Sequence, residues 1–486
     1  MLTLTDLIGL LPLIIVAATA ILVMLGITWQ RHHSGTAALT VGGLVLALAS
    51  LPLASNAAAS PPLMTLDGIA LMGSVLVLAS ALAIAAMSPH YLAGYIGPQE
   101  EFYLLLLCAV TGALGLVASN HMAMLFISLE LLSMPLYGMV AYRFRTERSL
   151  EAGIKYLVLS AAATAFLLFG MALLYARTGQ LEFGGLAAGL TSGLTAGISG
   201  GPDPWILGGA VLIIVGLGFK LSIMPFHLWT PDVYQGGLTP ATLVLATISK
   251  LAVFLVLLRL MMTVPAFESE WLRNLVSLLA FISMLGGNLL ALFQLNLKRL
   301  LGYSSIAHLG YLLIAIVVEG PLSVETSGVY LFTYVVATLG AFGVIMHVSC
   351  SHQGEDAAEL HHYRGLFWRS PWLAAVMTLS LLSLAGIPLT AGFIGKFYII
   401  ALGVADSRWW LVGGVVAGSA IGLFYYLRVM VTLYLPEPGS QPRASLDGKQ
   451  KRVGEVTLMV IAVLILLLGI YPVPMIDWVA ALAGGA

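Results

Sequence analysis

The sequence predicts an all-α polytopic membrane protein of about fourteen transmembrane helices, with two inverted five-helix repeats and discontinuous helices seven and twelve. Three observations carry this expectation. The 486 residues are 60% hydrophobic and 9% charged, against roughly 25% charged residues in a soluble domain. Apolar runs of membrane-spanning length recur along the whole chain. Two of those runs, five spans apart, are interrupted by proline with glycines nearby.

Composition also excludes function classes. A net charge of −1 offers no field for nucleic acid. The two cysteines, Cys108 and Cys350, are too few for a zinc site or a disulfide framework. The first apolar run follows Asp6 and lacks a small-residue cleavage site, so it is expected to be a retained helix and not a signal peptide.

A helix crosses a hydrocarbon layer of ~30 Å in about 20 residues. Cutting at polar or Gly/Pro-rich breaks gives spans near Leu7–Thr28, Thr36–Leu53, Ile69–Ala86, Phe102–Ala118, Met122–Tyr142, Ala152–Ala176 and Trp205–Trp229. The others are expected near Pro240–Met262, Leu272–Leu295, Leu300–Val318, Gly328–Ser349, Trp372–Ala405, Trp409–Leu435 and Val453–Ile470. Positive side chains are retained on the cytoplasmic side. With the N-terminus outside, the cytoplasmic loops collect Arg31, Arg143, Arg145, Arg148, Lys298, Arg299, Arg364, Arg369, Arg443, Lys449, Lys451 and Arg452. The opposite loops hold Arg177, Arg273 and Arg408. Both termini are therefore expected on the outer, periplasmic side.

A helix over Trp372–Ala405 would be about 51 Å long, well beyond the hydrocarbon layer. It should be interrupted within LAGIPLTAGFIGK, where Pro388 lacks a backbone donor and Gly386, Gly392 and Gly395 loosen the turn. Pro225, in VGLGFKLSIMPFHLWTPD, gives the seventh span the same kind of break. Broken backbone at membrane depth persists only where protein or a watery cavity satisfies it. Matching breaks five spans apart suggest inverted repeats, an arrangement found in transporters. The expected divisions are a three-helix segment 1–98, five-helix units 99–265 and 266–436, and a C-terminal loop and helix 437–486.

Ionisable residues at the bilayer centre are costly and by default functional candidates. Glu130, Lys220, Lys250 and Lys396 each have at least six uncharged residues on either side. Burial disfavours the charged form of such groups, and an opposite charge a few ångström away restores it. Glu130 and Lys220 are natural partners, either as a pair that closes and opens or as a static packing contact. Lys250 and Lys396 have no acidic residue in their own spans, which points to proton transfer. Lys155 is a further relay candidate, although an ordinary i,i+4 pair with Glu151 also explains it. Arg259 and Arg428, toward span ends, read as snorkelling anchors. His227, just after Pro225, and His308, in YSSIAHLGY with Tyr303, Ser304, Ser305 and Tyr311, could join a relay or simply bond a neighbouring helix. His347, His352, His361 and His362 gather around Glu355, Asp356 and Glu359, in a spacing that matches no zinc pattern, so no metal is expected. Nucleotide-binding and CxxC motifs are absent from the sequence.

Four segments, GFKLSIMPFHLWTPDVYQG, SLEAGIKYLVLSAAA, NLKRLLGYSSIAHLGY and SLAGIPLTAGFIGKFY, closely resemble the antiporter-like membrane subunits of proton-pumping NADH:quinone oxidoreductase, respiratory complex I. The resemblance covers nearly the whole chain. M-type subunits carry a glutamate where Lys396 stands, and L-type subunits a long C-terminal lateral helix, so the pattern is similar to the N-type. It implies proton transfer through Glu130, Lys220, Lys250 and Lys396 with no redox cofactor in the subunit. NADH, FMN, iron–sulfur clusters and quinone are then expected elsewhere in the complex. It further implies M-, K- and J-type neighbours in the lipid of a bacterial inner membrane. Two rivals remain open: a subunit of a multisubunit cation/proton antiporter, and a non-transporting scaffold whose charges only fix helix contacts.

Overall fold

In a computed structural model, the described residues are 3–57, 61, 63–95, 97–144, 146–187, 203–264, 269–318, 320–349, 356–436 and 449–484. Arg145, Cys350, His352, Glu355 and Arg443 lie outside them. Among the described residues the chain is helical, and β pairing is limited to isolated bridges such as Met64 with Ser119.

A short lead-in helix, Leu4–Gly9, carries a capping box from Thr3 to Asp6. The long helices then follow as α1 Leu11–Trp29, α2 His33–Ser55, α3 Gly68–Ala93, α4 Glu101–Val117, α5 Met122–Val140, α6 Glu147–Thr178 and α7 Pro204–Leu221. Next come α8 Trp229–Gly236, α9 Thr239–Thr263, α10 Glu270–Leu292, α11 Leu297–Val317 and α12 Pro321–Ser349. The last are α13 Pro371–Ala385, α14 Ala391–Ala405, α15 Trp409–Tyr434, α16 Lys449–Ile470 and α17 Val473–Ala483. Twelve helices among the described residues are long and apolar enough to cross a membrane. Helix α4 and the two halves α13 and α14 are apolar but shorter, and α17 is an element the sequence did not suggest.

Both expected interruptions are present, and they end by the same device. Helix α7 stops at Leu221 because Ser222 turns left-handed at φ 63°. Ser222 N–H then bonds the Phe219 carbonyl, and Ile223 N–H bonds that of Gly218. Helix α13 stops at Gly386 with φ 80°, and the N–H groups of Gly386 and Ile387 bond Ser383 and Leu382 in the same pattern. This is the Schellman closure of a helix C-terminus. Glycine suits the second site because the left-handed region carries no Cβ penalty there. At the first site a serine occupies it, and its hydroxyl accepts a bond from Thr230 at 2.6 Å.

The backbone freed at each break is satisfied by side chains. Met224 N–H, beside the cis Met224–Pro225 bond, donates to Ser283 Oγ of α10 at 2.9 Å. Trp229 Nε1 donates to the Phe219 carbonyl at 2.9 Å, and Gly392 N–H donates to Ser383 Oγ at 3.0 Å. An unmatched buried amide costs about 1–3 kcal/mol. Ser283→Ala is therefore expected to lower stability by roughly that amount, read as faster thermal inactivation, whereas Ser283→Thr retains the acceptor.

Three helices form the centre. The apolar windows of α9, α11 and α12 are 100%, 94% and 94% buried, whereas those of α1 and α16 are 28% buried and face outward. Inside α9, residues Leu245–Ser249 form a π-helical turn immediately before Lys250. Such a turn frees backbone groups, and Tyr334 of α12 donates to the Ala246 carbonyl at 3.1 Å.

Several polar residues fall elsewhere than expected. Arg259 is 5% exposed and pairs with Asp67 at 2.7 Å, so it is a buried structural cation and not a snorkelling anchor. Arg428 donates to the Leu292 and Gln294 carbonyls, closing the C-terminus of α10 instead of reaching for headgroups. Of the loop cations, Arg143 and Lys298 are drawn inside and pair with Asp356. In each case a carboxylate at least partly buried or a helix-end carbonyl offers a partner within reach.

Candidate functional site

The candidate site is built on helix ends. Lys220 occupies the last turn of α7, next to its Schellman closure, and is 2% exposed. Lys396, 7% exposed, reaches from the second turn of α14 to the Ala385 carbonyl at the end of α13, at 2.7 Å. A helix C-terminus presents unpaired carbonyls and the negative end of its dipole, so it stabilises a cation where water is scarce. The sequence placed a lysine beside each helix break; at the second the broken end of α13 is itself the acceptor, whereas at the first the acceptors come from neighbouring helices.

Lys220 Nζ donates to Ser133 Oγ of α5 at 2.6 Å and to Ser160 Oγ of α6 at 2.7 Å. It also lies 6.0 Å from the centre of the Tyr137 ring, and the Tyr137 hydroxyl bonds Ser160 at 2.6 Å. Glu130 stands one helical turn before Ser133 but accepts from Thr164 Oγ1 at 2.9 Å. The two candidate partners are thus neighbours held apart, with no ion pair between them. A one-turn difference is short enough for a flexible lysine to exchange one partner for the other.

A second group surrounds Lys250, which is 1% exposed. Its Nζ donates to Ser305 Oγ at 2.5 Å and lies 5.7 Å from the Tyr234 ring centre. One turn along α11 from Ser305, His308 Nδ1 is bonded to the Tyr330 hydroxyl at 2.7 Å. Its Nε2 lies 3.3 Å from the Tyr426 hydroxyl, which also bonds Ser304. Between His308 and Lys396 lies a cavity of about 10 Å³ lined by both residues, Tyr330, Thr333 and Ser383. That is close to the space a single water needs, and its lining supplies polar partners. Lys396 lies 5.4 Å from the Tyr311 ring centre, and the Tyr311 hydroxyl accepts from Asn288 at 2.7 Å.

Chemically, hydroxyls and imidazole that both donate and accept can hand a proton between cationic groups. Lys250 is bonded to Ser305, His308 follows one turn along the same helix, and the cavity separates His308 from Lys396, so these groups lie in sequence along one line. Lys220 is separate from it: among the described residues no hydrogen bond joins its serine cradle to Lys250.

The remaining candidates lie apart from this line. Lys155 pairs with Glu151 at 2.7 Å, as its spacing allows, and also with Asp232 at 2.9 Å, which in turn holds Arg299 at 2.6 Å. His227 is 9% exposed, its ring lies 6.5 Å from that of Tyr303, and its Nδ1 is buried without a bonding partner. Pro225 and Pro388 lie in the two breaks. Asp356 leaves the histidine-rich loop group and joins Lys298 and Arg143. Ser133, Ser160, Tyr330 and Tyr426 were not among the sequence candidates. Only Ser133, three residues after Glu130, had a signal in the helical spacing.

Comparison with known proteins agrees with this architecture. A family described as "NADH:quinone oxidoreductase/Mrp antiporter, TM" matches residues 119–422. NADH-quinone oxidoreductase subunit N of Chromohalobacter salexigens is 60% identical over 483 residues, covering 99% of this chain and 100% of the relative. A chain of respiratory complex I from Thermus thermophilus with bound aureothin superposes with a TM-score of 0.81 at 33% identity, covering 98% of this chain and all of that one. A chain of the Mrp complex from Dietzia sp. DQ12-45-1b, 18% identical, shares the fold with a TM-score of 0.84, covering 99% of this chain and 97% of that one. Matched along its whole length, the chain belongs to the family of NADH:quinone oxidoreductase and Mrp antiporter membrane subunits, in its NADH-quinone oxidoreductase subunit N branch.

Proposed function

We propose that this chain carries protons from the cytoplasm to the periplasm within the membrane arm of respiratory complex I, driven by NADH oxidation and quinone reduction in the rest of the complex. Quinone reduction alters the Glu130–Lys220 relation, and a proton passes by Lys250 and His308 to Lys396 and outward. Lys155 and His227 flank the route. On this reading 99–265 and 266–436 are inverted five-helix units, 1–98 is a three-helix segment and 437–486 closes the chain. Both termini face the periplasm. The subunit holds no redox centre or metal of its own, since NADH, FMN, iron–sulfur clusters and quinone are handled by other subunits. M-, K- and J-type subunits are its neighbours in the inner membrane.

The observation that supports this most is the succession of Lys250, Ser305 and His308 on two of the most buried helices, with a small cavity between His308 and Lys396. Among the described residues the lysines at its two ends have no carboxylate in contact, unlike Arg143, Arg259 and Lys298. The 60% identity to a complex I subunit favours this reading over a free-standing antiporter.

The test is NADH-driven acidification of inverted membrane vesicles, beside quinone reduction and an assembly check. Glu130→Ala is expected to lower the protons moved per electron, by at least several-fold. Normal pumping by an assembled Glu130→Ala complex would reject the role given to that carboxylate.

A further inference from the structure

Among the described residues, Asp356 gathers four hydrogen bonds on its carboxylate, outside the lysine line. One carboxylate oxygen accepts from the Tyr91 hydroxyl at 2.5 Å and from Arg143 Nη2 at 2.8 Å. The other accepts from Thr239 Oγ1 at 2.7 Å and from Lys298 Nζ at 2.7 Å. Lys298 Nζ also donates to the Gly237 carbonyl at 2.6 Å. The Asp356 side chain is 6% exposed and that of Lys298 is wholly buried, so these contacts are shielded from water and salt. Burial alone would push the carboxyl up, but Lys298 and Arg143 overcome it and hold the group well below the usual carboxylate range.

The location of the partners gives the cluster its meaning. Gly237 and Thr239 lie at the start of α9, the helix that carries Lys250. Lys298 lies in the first turn of α11, the helix that carries Ser305 and His308. Tyr91 and Arg143 tie the same carboxylate to the ends of α3 and α5. One loop side chain therefore joins the starts of the two helices whose mid-membrane contact is Lys250 to Ser305.

We propose that Asp356 is a positioning residue, clamping α9 to α11 through Thr239 and Lys298 so that Lys250 meets Ser305 in transfer geometry. The inference rests on the lysine line acting as a proton route. A clamp at the helix starts fixes both the rotation and the axial position of each helix, and those two variables set the distance between groups further along. A polar network of this kind is specific only while every member is satisfied, so removing one member releases the others.

The experiment uses whole complex I in membranes, with NADH-driven pumping, quinone reduction, assembly and the pH profile of pumping measured together. Lys298→Met is the decisive variant, because Asp356 and Arg143 remain a matched pair and the complex should assemble. Its pumping is expected to fall about ten-fold, since a displacement of ~1 Å can cost ~100-fold in a transfer step. Its pH profile should shift as the surroundings of Lys250 change, and Lys298→Arg should restore both. Asp356→Asn should show the same loss, with Asp356→Glu partly restoring it. If Asp356→Asn fails to assemble, Lys298→Met decides alone. Lys250→Met is run in parallel. Impaired pumping in Lys250→Met with parental rate and pH profile in Lys298→Met overturns the clamp and leaves the route standing. Normal pumping in Lys250→Met overturns the route and the clamp together.

Discussion

Lys396→Ala is expected to remove most NADH-driven proton pumping from an assembled complex, with the rate falling by roughly 100-fold or more, as for loss of a positioned proton-transfer group. Lys396 is the one charged residue between Arg369 and Asp406. Alanine removes the titratable group and also leaves the Ala385 carbonyl without the bond Lys396 makes to it. The small cavity beside His308 would enlarge and admit water. That water compensates part of the lost bond, so the complex should still assemble. Lys396→Arg keeps a cation but not a group that releases its proton near neutral pH. It should preserve assembly and still fail to pump. The measurement is the ratio of acidification to quinone reduced in vesicles, with complex abundance as the control. Pumping at the parental ratio in Lys396→Ala would reduce the lysine to a packing residue and favour the scaffold reading.

The largest effect on stability is expected from Gly392→Ala. A Cβ built on Gly392 falls 1.8 Å from the Ser383 carbonyl oxygen and 2.6 Å from its carbon. Nothing there can yield cheaply. That carbonyl accepts the Gly386 amide in the Schellman closure, while Ser383 Oγ accepts the Gly392 amide. Adding one methyl group must separate α13 from α14, which opens the Gly392 amide bond to Ser383 Oγ and crowds the carbonyl of the Schellman closure. Overpacking typically costs about 1–3 kcal/mol, and each unsatisfied buried amide adds about 1–3 kcal/mol. Gly392→Ala should therefore accumulate little complex and inactivate at a lower temperature, read by native electrophoresis and by the decay of quinone reductase activity on heating. Gly413→Ala is the matched control, because a Cβ there meets nothing within 4 Å. Equal thermal stability of the two variants would contradict the close approach assigned to Gly392.

The sequence by itself determined what kind of molecule this is and where its polar anomalies lie. Hydropathy over span-length runs gives transmembrane helices because a lipid-facing backbone must satisfy its own hydrogen bonds. Proline and glycine beside Lys220 and Lys396 marked both breaks, because those residues act on the local backbone whatever lies around them. Ionisable residues in mid-span apolar runs stood out for the same reason: near the bilayer centre their cost does not depend on which neighbours follow in the sequence. Only the tertiary structure decided which of these groups meet. Glu130 and Lys220 share a neighbourhood but bond Thr164 and a pair of serines instead of each other, and that depends on how α5, α6 and α7 are rotated. Helical spacing fixes which residues share a face, but not which neighbour the face meets. His308 lies between Lys250 and Lys396 because α9, α11 and α14 converge there. Arg259, Arg428 and Lys298 looked like surface cations, since distance along the chain says nothing of a carboxylate or a helix end folded against them. Asp356 is the extreme case. In sequence it is one acid in a polar loop, and its burial among Tyr91, Arg143, Thr239 and Lys298 comes from contacts 58 to 265 residues away, which no local pattern encodes.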